Sequence, residues 1–438
     1  MDGALVSPFG RLPRTGRAAR GPSRLLQRGR VKPMLRLRQL SAAVAVAVAP
    51  LHAAALQDDR LELFASEVVT RDDNVFRLSS SVDPAAVLGT ASTADTYRTT
   101  SFGFNVDIPL SRQRLLGALA LNQMRYRRFK ALDLDGHDAR ALWRWQFGDP
   151  LEGEVGYSDK RTLASLANVQ SGVQSSTPNF LTAKNASFNA TYRLAPRWQL
   201  RGDANRLQHD NSAVERQVND LRLNGAELTA SYVSRAGNRL GLNVRFADGD
   251  LPNRQPIGAL AVDNSYRQRY LAAVAEWTPT GKSRLKARAG RVSRSFAQLP
   301  QRDFDASVYC ASWEWQPTGK LALTAIGQRD ISTTEEVNVG LVFARGFALY
   351  PTLRLTEKLA LAAAFERADR EYFGDPGLVL GTVAPRSERV NAAALNLTYQ
   401  PVKPVLLRVA WRRETRSSSA AFGDYEANVY SIGARVGF

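Results

Sequence analysis

Along most of the chain, apolar and polar residues alternate with a period of two, as they do in a strand with one apolar and one polar face. Phe102, Phe104, Val106 and Ile108 alternate with Gly103, Asn105 and Asp107; Ala139, Ala141, Trp143, Trp145 and Phe147 alternate with Arg140, Arg144 and Gln146. The same holds for Leu151, Gly153, Val155 and Tyr157 against Glu152 and Glu154, and for Trp198, Leu200, Gly202 and Ala204 against Gln199, Arg201, Asp203 and Asn205. Leu240, Leu242, Val244 and Phe246 repeat it against Asn243 and Arg245. One face of each strand is consistently wet.

A short breaker recurs after an aromatic or apolar strand end and is followed by a basic residue and a new strand. It spans Tyr192 to Trp198, Trp277 to Lys282, Trp315 to Leu321 and Tyr399 to Lys403, with looser forms at Ile108 to Arg112, Phe147 to Pro150, Ser234 to Asn238 and Leu355 to Lys358. Between these eight tight turns lie longer polar stretches: Lys160 to Thr182, Gln208 to Asp220, Asp248 to Asn264, Asp369 to Ser387 and Thr415 to Asp424. Alternating short and long connections predict an all-β fold, a transmembrane antiparallel up-and-down β-barrel with its tight turns in the periplasm. Eight turns join sixteen strands; a first strand near Leu61 to Ser80 and a last from Glu426 to Phe438 make eighteen. Sixteen is the alternative, because Val337 to Leu355 is too long for one simple strand.

A soluble sandwich or propeller also alternates, but three features weigh against it. Trp145, Tyr192, Trp198, Tyr232, Trp277, Trp315 and Tyr399 sit beside the tight turns, where an aromatic girdle meets the membrane interface. The polar faces carry many charges, which a water-filled lumen tolerates and a packed core does not. The chain also ends on Tyr430, Ile432, Ala434, Val436 and Phe438 in alternation. That terminus resembles the carboxy-terminal assembly signal of bacterial outer-membrane proteins. Two further stretches, Thr70-Arg-Asp72-Asp73-Asn74-Val75-Phe76-Arg77-Leu78 and the run from Tyr97 through Phe102, Phe104, Ile108 and Pro109 to Arg114, resemble the start of the EpsL-type family, as do the repeated Trp-x-Pro-Thr-Gly-Lys turns. These are outer-membrane proteins associated with exopolysaccharide biosynthesis and exosortase systems. The resemblance runs over nearly the whole mature chain and implies a role in exporting or assembling an exopolysaccharide, with periplasmic export components and the outer-membrane assembly machinery as partners.

The amino terminus changes the picture of charge. Nine Arg and one Lys against Asp2 alone put half of the net +18 into the first 55 residues. From Met34 the chain has the charged, apolar (Leu40 to Leu51) and small-residue (Ala53-Ala54-Ala55) order of a secretory signal, so residues 34–55 are expected to be a signal peptide and 56–438 the barrel. Residues 1–33, basic and with Pro8, Pro13, Pro22 and Pro33, are expected to be an upstream extension ahead of the true start at Met34. A nucleic-acid-binding tail is the competing reading, but Phe9 is its one aromatic residue for stacking. No apolar run reaches the roughly 18 residues of a spanning helix, so membrane integration must use strands.

Chemistry is sparse. One cysteine, Cys310, excludes an intramolecular disulfide, and three histidines are too few for the usual zinc or catalytic constellations. His137, in Asp133-Leu-Asp135-Gly-His137-Asp138, and His209 are expected in outer loops without a distinctive serine motif, which argues against an enzyme; no cofactor is expected. Asp133, Asp135 and Asp138 could hold calcium but lack the full loop spacing, so a solvated acidic loop is preferred. If the apolar positions face lipid, alternation puts Arg140, Arg144, Arg201, Arg245, Lys286, Arg288, Arg408, Arg412 and Arg435 inside, with Glu152, Glu154, Asp203, Glu227, Glu276, Glu314 and Glu366. Such residues either line a passage for a bulky carbohydrate or pair with one another and stiffen the wall. A secretion component and a general diffusion porin or structural barrel are the two functional classes that remain.

Overall fold

The computed structural model describes residues 60–166, 178–257, 260–332, 339–374 and 386–438. The expected upstream extension and signal peptide lie outside these residues. Eighteen antiparallel strands form one closed wall: β1 (Leu61–Asp72), β2 (Asp95–Leu110), β3 (Gln113–Tyr126), β4 (Leu134–Phe147), β5 (Leu151–Leu163), β6 (Phe180–Ala195), β7 (Trp198–Asn211), β8 (Leu221–Val233) and β9 (Arg239–Asp250), then β12 (Tyr266–Thr280), β13 (Ser283–Phe296), β14 (Phe304–Trp315), β15 (Leu321–Ser332), β16 (Val339–Arg354), β17 (Leu359–Gly374), β18 (Arg386–Val402), β19 (Val405–Ser418) and β20 (Tyr425–Gly437). A small hairpin, β10 (Gln255–Ile257) with β11 (Leu260–Val262), decorates the connection from β9 to β12. The wall closes where β1 pairs with β20, from Phe64 opposite Gly437 to Asp72 opposite Val429. Closure leaves no strand edge with unpaired backbone groups, the condition for β-structure in hydrocarbon.

All eight expected tight turns join consecutive strands at one end. Gly148, with φ of +62°, sits in the turn from β4 to β5, a backbone conformation that a side chain would strain. A few residues on, Gly153 lets the Trp145 indole lie flat on the wall, since a Cβ there would come within 2.4 Å of the ring. The outer face is an apolar belt: Phe102, Leu121, Phe188, Leu242, Phe246, Leu271, Phe347, Phe365 and Ile432 are all exposed. Around the turn end run Trp198, Tyr192, Trp277, Trp315 and Tyr399, also exposed, while Trp145 is covered by Phe147 and Phe188.

Three expectations fail at the opposite end. β1 stops at Asp72, and residues 73–94 form a connection carrying a short helix α1 (Pro84–Leu88), capped by the Asp83 carboxylate on the Ala85 amide at 3.0 Å. Val339–Arg354 is one 16-residue strand, because the strands of this barrel, at 12 to 17 residues, outrun the roughly 10 residues that a bilayer requires. His137 and His209 lie within β4 and β7, not in loops, for the same reason.

The end of β15 leaves the wall. The β14–β15 ladder stops at Tyr309 opposite Arg329, whereas β15 continues to Ser332 in register with β16. Ile331, 2% exposed, packs on Tyr270, Ala272, Val292, Ala306 and Val308, and the Tyr270 hydroxyl donates to Asp330 at 3.0 Å, across the intervening β13 and β14. This strand end therefore lies over the inner surface of β12–β14 and occupies part of the lumen.

Candidate functional site: the charged inner wall

Cross-strand register and the exposed apolar belt together define which residues turn inward. All sixteen charged positions selected by alternation share the face opposite the belt, and the structure brings most of them into ion pairs. On one strand, the two-residue spacing lets Arg140 grip Asp138 (2.8 Å) and Arg201 grip Asp203 (2.9 and 3.0 Å), each through two guanidinium nitrogens. Between neighbouring strands, Arg144 meets Glu154 at 2.8 Å, Glu152 meets Arg193 at 3.4 Å, and Lys286 meets Glu314 at 3.3 Å. Glu276 lies between Arg239 (3.3 Å) and Arg284 (3.4 Å). Arg435 bonds Glu62 at 2.9 Å and covers the Phe64 ring; Arg288 approaches Asp330 at 3.6 Å on the displaced end of β15.

Of the remaining three, two engage amides. Arg408 donates to Asn396 at 2.7 Å, and Glu227 accepts from the Asn243 amide at 2.9 Å. Arg245, half-buried opposite Glu227 and Tyr270 in the ladders, has no carboxylate partner among the described residues. Charges paired along a wetted wall contribute little stability each, about 0 to 1 kcal/mol, but they hold long side chains against the wall.

Towards the long-connection end the wall carries a network that the sequence reading missed. Arg412 bridges Glu366 (3.2 Å) and Glu414 (3.1 Å); Tyr350 donates to Glu366 at 2.9 Å and Tyr425 to Glu414 at 2.5 Å. Beside it, Glu388, fully buried, receives Tyr372 (2.7 Å) and Arg386 (3.1 Å), with Arg416 at 3.7 Å and Arg370 at 3.9 Å. Residues 73–94 are tied to this wall. Arg77, with a side chain 3% exposed, reaches both Asp72 oxygens at 2.9 Å, and Asn74 donates to the Leu78 and Glu426 carbonyls. The signal was present in sequence: Arg370 and Arg416, within stretches read as loops, and Glu388 and Glu414, at the edges of those stretches, continue the parity of Glu366 and Arg412. Outside the strands, Asp220 links two connections by accepting from Asn211 (2.7 and 2.9 Å) and Asn253 (2.9 Å), and burial pushes its carboxyl up.

The three aspartates do not converge on one ion. Asp133 accepts from the Tyr126 amide, Asp135 from Arg125 and Asp138 from Arg140, and no metal-binding group of side chains occurs among the described residues. His137 bonds Asp159 at 2.9 Å, His209 is buried on the inner face of β7, and Cys310 is half-buried on the inner face of β14. On β20, Tyr430, Ile432, Ala434 and Val436 turn outward, and Phe438 exchanges main-chain hydrogen bonds with Leu63 (2.8 and 3.2 Å).

A family model described as "Putative beta-barrel porin 2" matches residues 273–438. No curated protein matches the chain. Among solved structures, OccK2 (OpdF) of Pseudomonas aeruginosa is 12% identical, with 87% of this chain and 99% of that chain covered and a TM-score of 0.48. In its complex with glucuronate the score is 0.47, and OpdK of the same organism with vanillate, 11% identical over 86% of this chain and 99% of its own, scores 0.45. From within β12 to its end the chain is thus similar to a β-barrel porin family, and with its closed eighteen-stranded wall and apolar outer belt it is a multi-pass protein of the bacterial outer membrane.

Proposed function

We propose that this barrel is a porin-type channel: a hydrated, non-enzymatic passage for polar solutes that discriminates by charge along its inner wall. The observation that carries the reading is the division of faces, apolar outside and ionisable inside. A purely structural wall has no need of so many ionised groups, whereas water in a lumen keeps them solvated. The porin family model over residues 273–438 supports the same reading. Most inner charges are mutually neutralised, so net selectivity falls to groups such as Arg245, whose planar guanidinium offers several donors to a passing anion. The test is the reversal potential of the folded protein in a planar bilayer under a salt gradient. Arg245→Glu is expected to move selectivity from anions towards cations, and an unchanged reversal potential would remove Arg245 from the role.

Exopolysaccharide export, with periplasmic export components as partners, is the narrower reading, and it stands on the EpsL resemblance. The Asp72–Leu78 part of that resemblance has a structural role here, since Asp72, Asn74 and Arg77 fasten a connection to the wall. Deletion separates the two readings: lost polymer output with unchanged small-solute permeability favours export, and the reverse favours the porin.

A further inference from the structure

On the outer surface of β16–β19 the apolar belt ends against a basic cluster with fewer acids than arginines. Reading outward positions towards the long connections, β15 runs Leu323, Ala325, Gly327, Arg329; β16 runs Leu349, Phe347, Arg345; β17 runs Ala363, Phe365, Arg367. On β18 Arg389 follows Asn391 and Ala393, and on β19 Arg413, which pairs with Glu426 at 2.9 Å, follows Trp411. Register sets Arg345 opposite Asp369 and Asp369 opposite Arg389, in one row across three strands, while Arg329, opposite Arg345 where β15 leaves the wall, donates to the Ser307 carbonyl and lies over the Phe343 ring. Asp369 accepts from Arg389 (2.7 Å) and Arg367 (3.4 Å), so one carboxylate serves several guanidinium groups. Arg345 is exposed and has no acid partner among the described residues; Glu371, one step further up β17, forms no ion pair with the cluster there. Four other outer arginines are each matched by one acid: Arg98 by Glu67, Arg125 by Asp135, Arg267 by Asp248 and Arg291 by Asp305. Two like charges face to face on a strand pair are destabilising unless an anion lies between them.

Immediately below this row the wall is dented. Phe347, Phe365, Arg367, Ala393, Arg413 and Thr415 line an outward groove of about 340 Å³, whose floor is low because Ala393 faces Phe365 on one side and Arg413 on the other. An apolar slot capped by excess guanidinium groups, at the height where hydrocarbon gives way to headgroups, has the shape and charge of a site for an acylated phosphate.

We propose that this surface binds a phosphorylated lipid of the outer leaflet, with an acyl chain in the Phe347–Phe365–Ala393 groove and the phosphate held by Arg345, Arg367 and Arg389. Guanidinium groups take phosphate oxygens two at a time, which suits a lipid headgroup better than a point charge would. The proposal concerns the outer surface and is independent of what passes through the lumen.

The test titrates the folded, detergent-solubilised full chain with diphosphorylated lipid A, with phosphatidylcholine and inorganic phosphate in parallel. Saturable binding of lipid A is expected, weakened roughly tenfold or more in the triple variant Arg345→Gln/Arg367→Gln/Arg389→Gln. Ala393→Phe, which fills the groove and leaves every charge in place, should weaken it as well, whereas Arg98→Gln on β2, outside the groove and five strands from β17, should not. Heat-modifiable mobility reports folding; should the triple variant fail to fold, Arg345→Gln alone breaks no ion pair and must still weaken binding. Wild-type affinity in either variant, equal affinity for phosphatidylcholine, or complete displacement of lipid A by inorganic phosphate would overturn the proposal.

Discussion

Placing one arginine at two adjacent positions of β4 probes the assignment of faces. Ala141 is exposed on the outer surface, between Ala139 and Trp143, while Leu142 turns inward between Arg140 and Arg144. Phe147 marks the turn end of the belt six residues away; at about 3.4 Å per residue and a tilt near 40°, Ala141 stands roughly 15 Å above it, close to the middle of a band about 25 Å tall. An arginine there costs about 2 to 4 kcal/mol. That is a roughly 30- to 900-fold loss in the folded-to-unfolded ratio. Leu142→Arg instead adds a cation to a wall where Arg140 already holds Asp138 and Arg144 holds Glu154, in contact with water, and should cost under about 1 kcal/mol. Urea titration of refolding into lipid vesicles, followed by heat-modifiable mobility, gives both numbers. Equal midpoints, or a larger loss in Leu142→Arg, would refute the register of β4 and the face assignments that follow from it.

Further outcomes follow from the same geometry. Glu414→Gln leaves Arg412 and the Tyr425 hydroxyl short of their buried anion and should destabilise the barrel by about 3 to 5 kcal/mol in the same titration. Arg77→Met removes the tie between residues 73–94 and Asp72, so limited proteolysis should cut between Asn74 and Thr93 in the variant and not in the parent. Deleting Phe438 removes its pair of main-chain bonds to Leu63 and the terminal aromatic residue, and should lower the amount of heat-modifiable protein in outer-membrane fractions. Amino-terminal sequencing of that fraction should begin at Leu56.

The strand count and all eight turns were legible because lipid imposes a rule on one face only: within the belt, every second residue must be apolar, as Phe102 to Ile108 and Ala139 to Phe147 show. Beyond the belt, water wets both faces and the rule lapses. For this reason the upper ends of β4, β7, β17 and β19, with His137, His209, Arg370 and Arg416, read as loops although the ladders continue through them. Parity alone placed the inner charges, but their partners depend on register and curvature: nothing local to Arg288 announces Asp330, two strands away on a displaced strand end. The outer arginine cluster was illegible for the same reason, since Arg345, Arg367 and Arg389 meet only when β16, β17 and β18 are aligned.

The central claim, that the ionisable inner face lines a hydrated passage, is tested most directly by conductance of the purified, folded protein in a planar bilayer. The account predicts discrete, reproducible conductance steps that persist at low applied potential and whose ion selectivity responds to Arg245→Glu. A folded, membrane-inserted barrel that stays electrically silent, in the parent and in the variant alike, would contradict it.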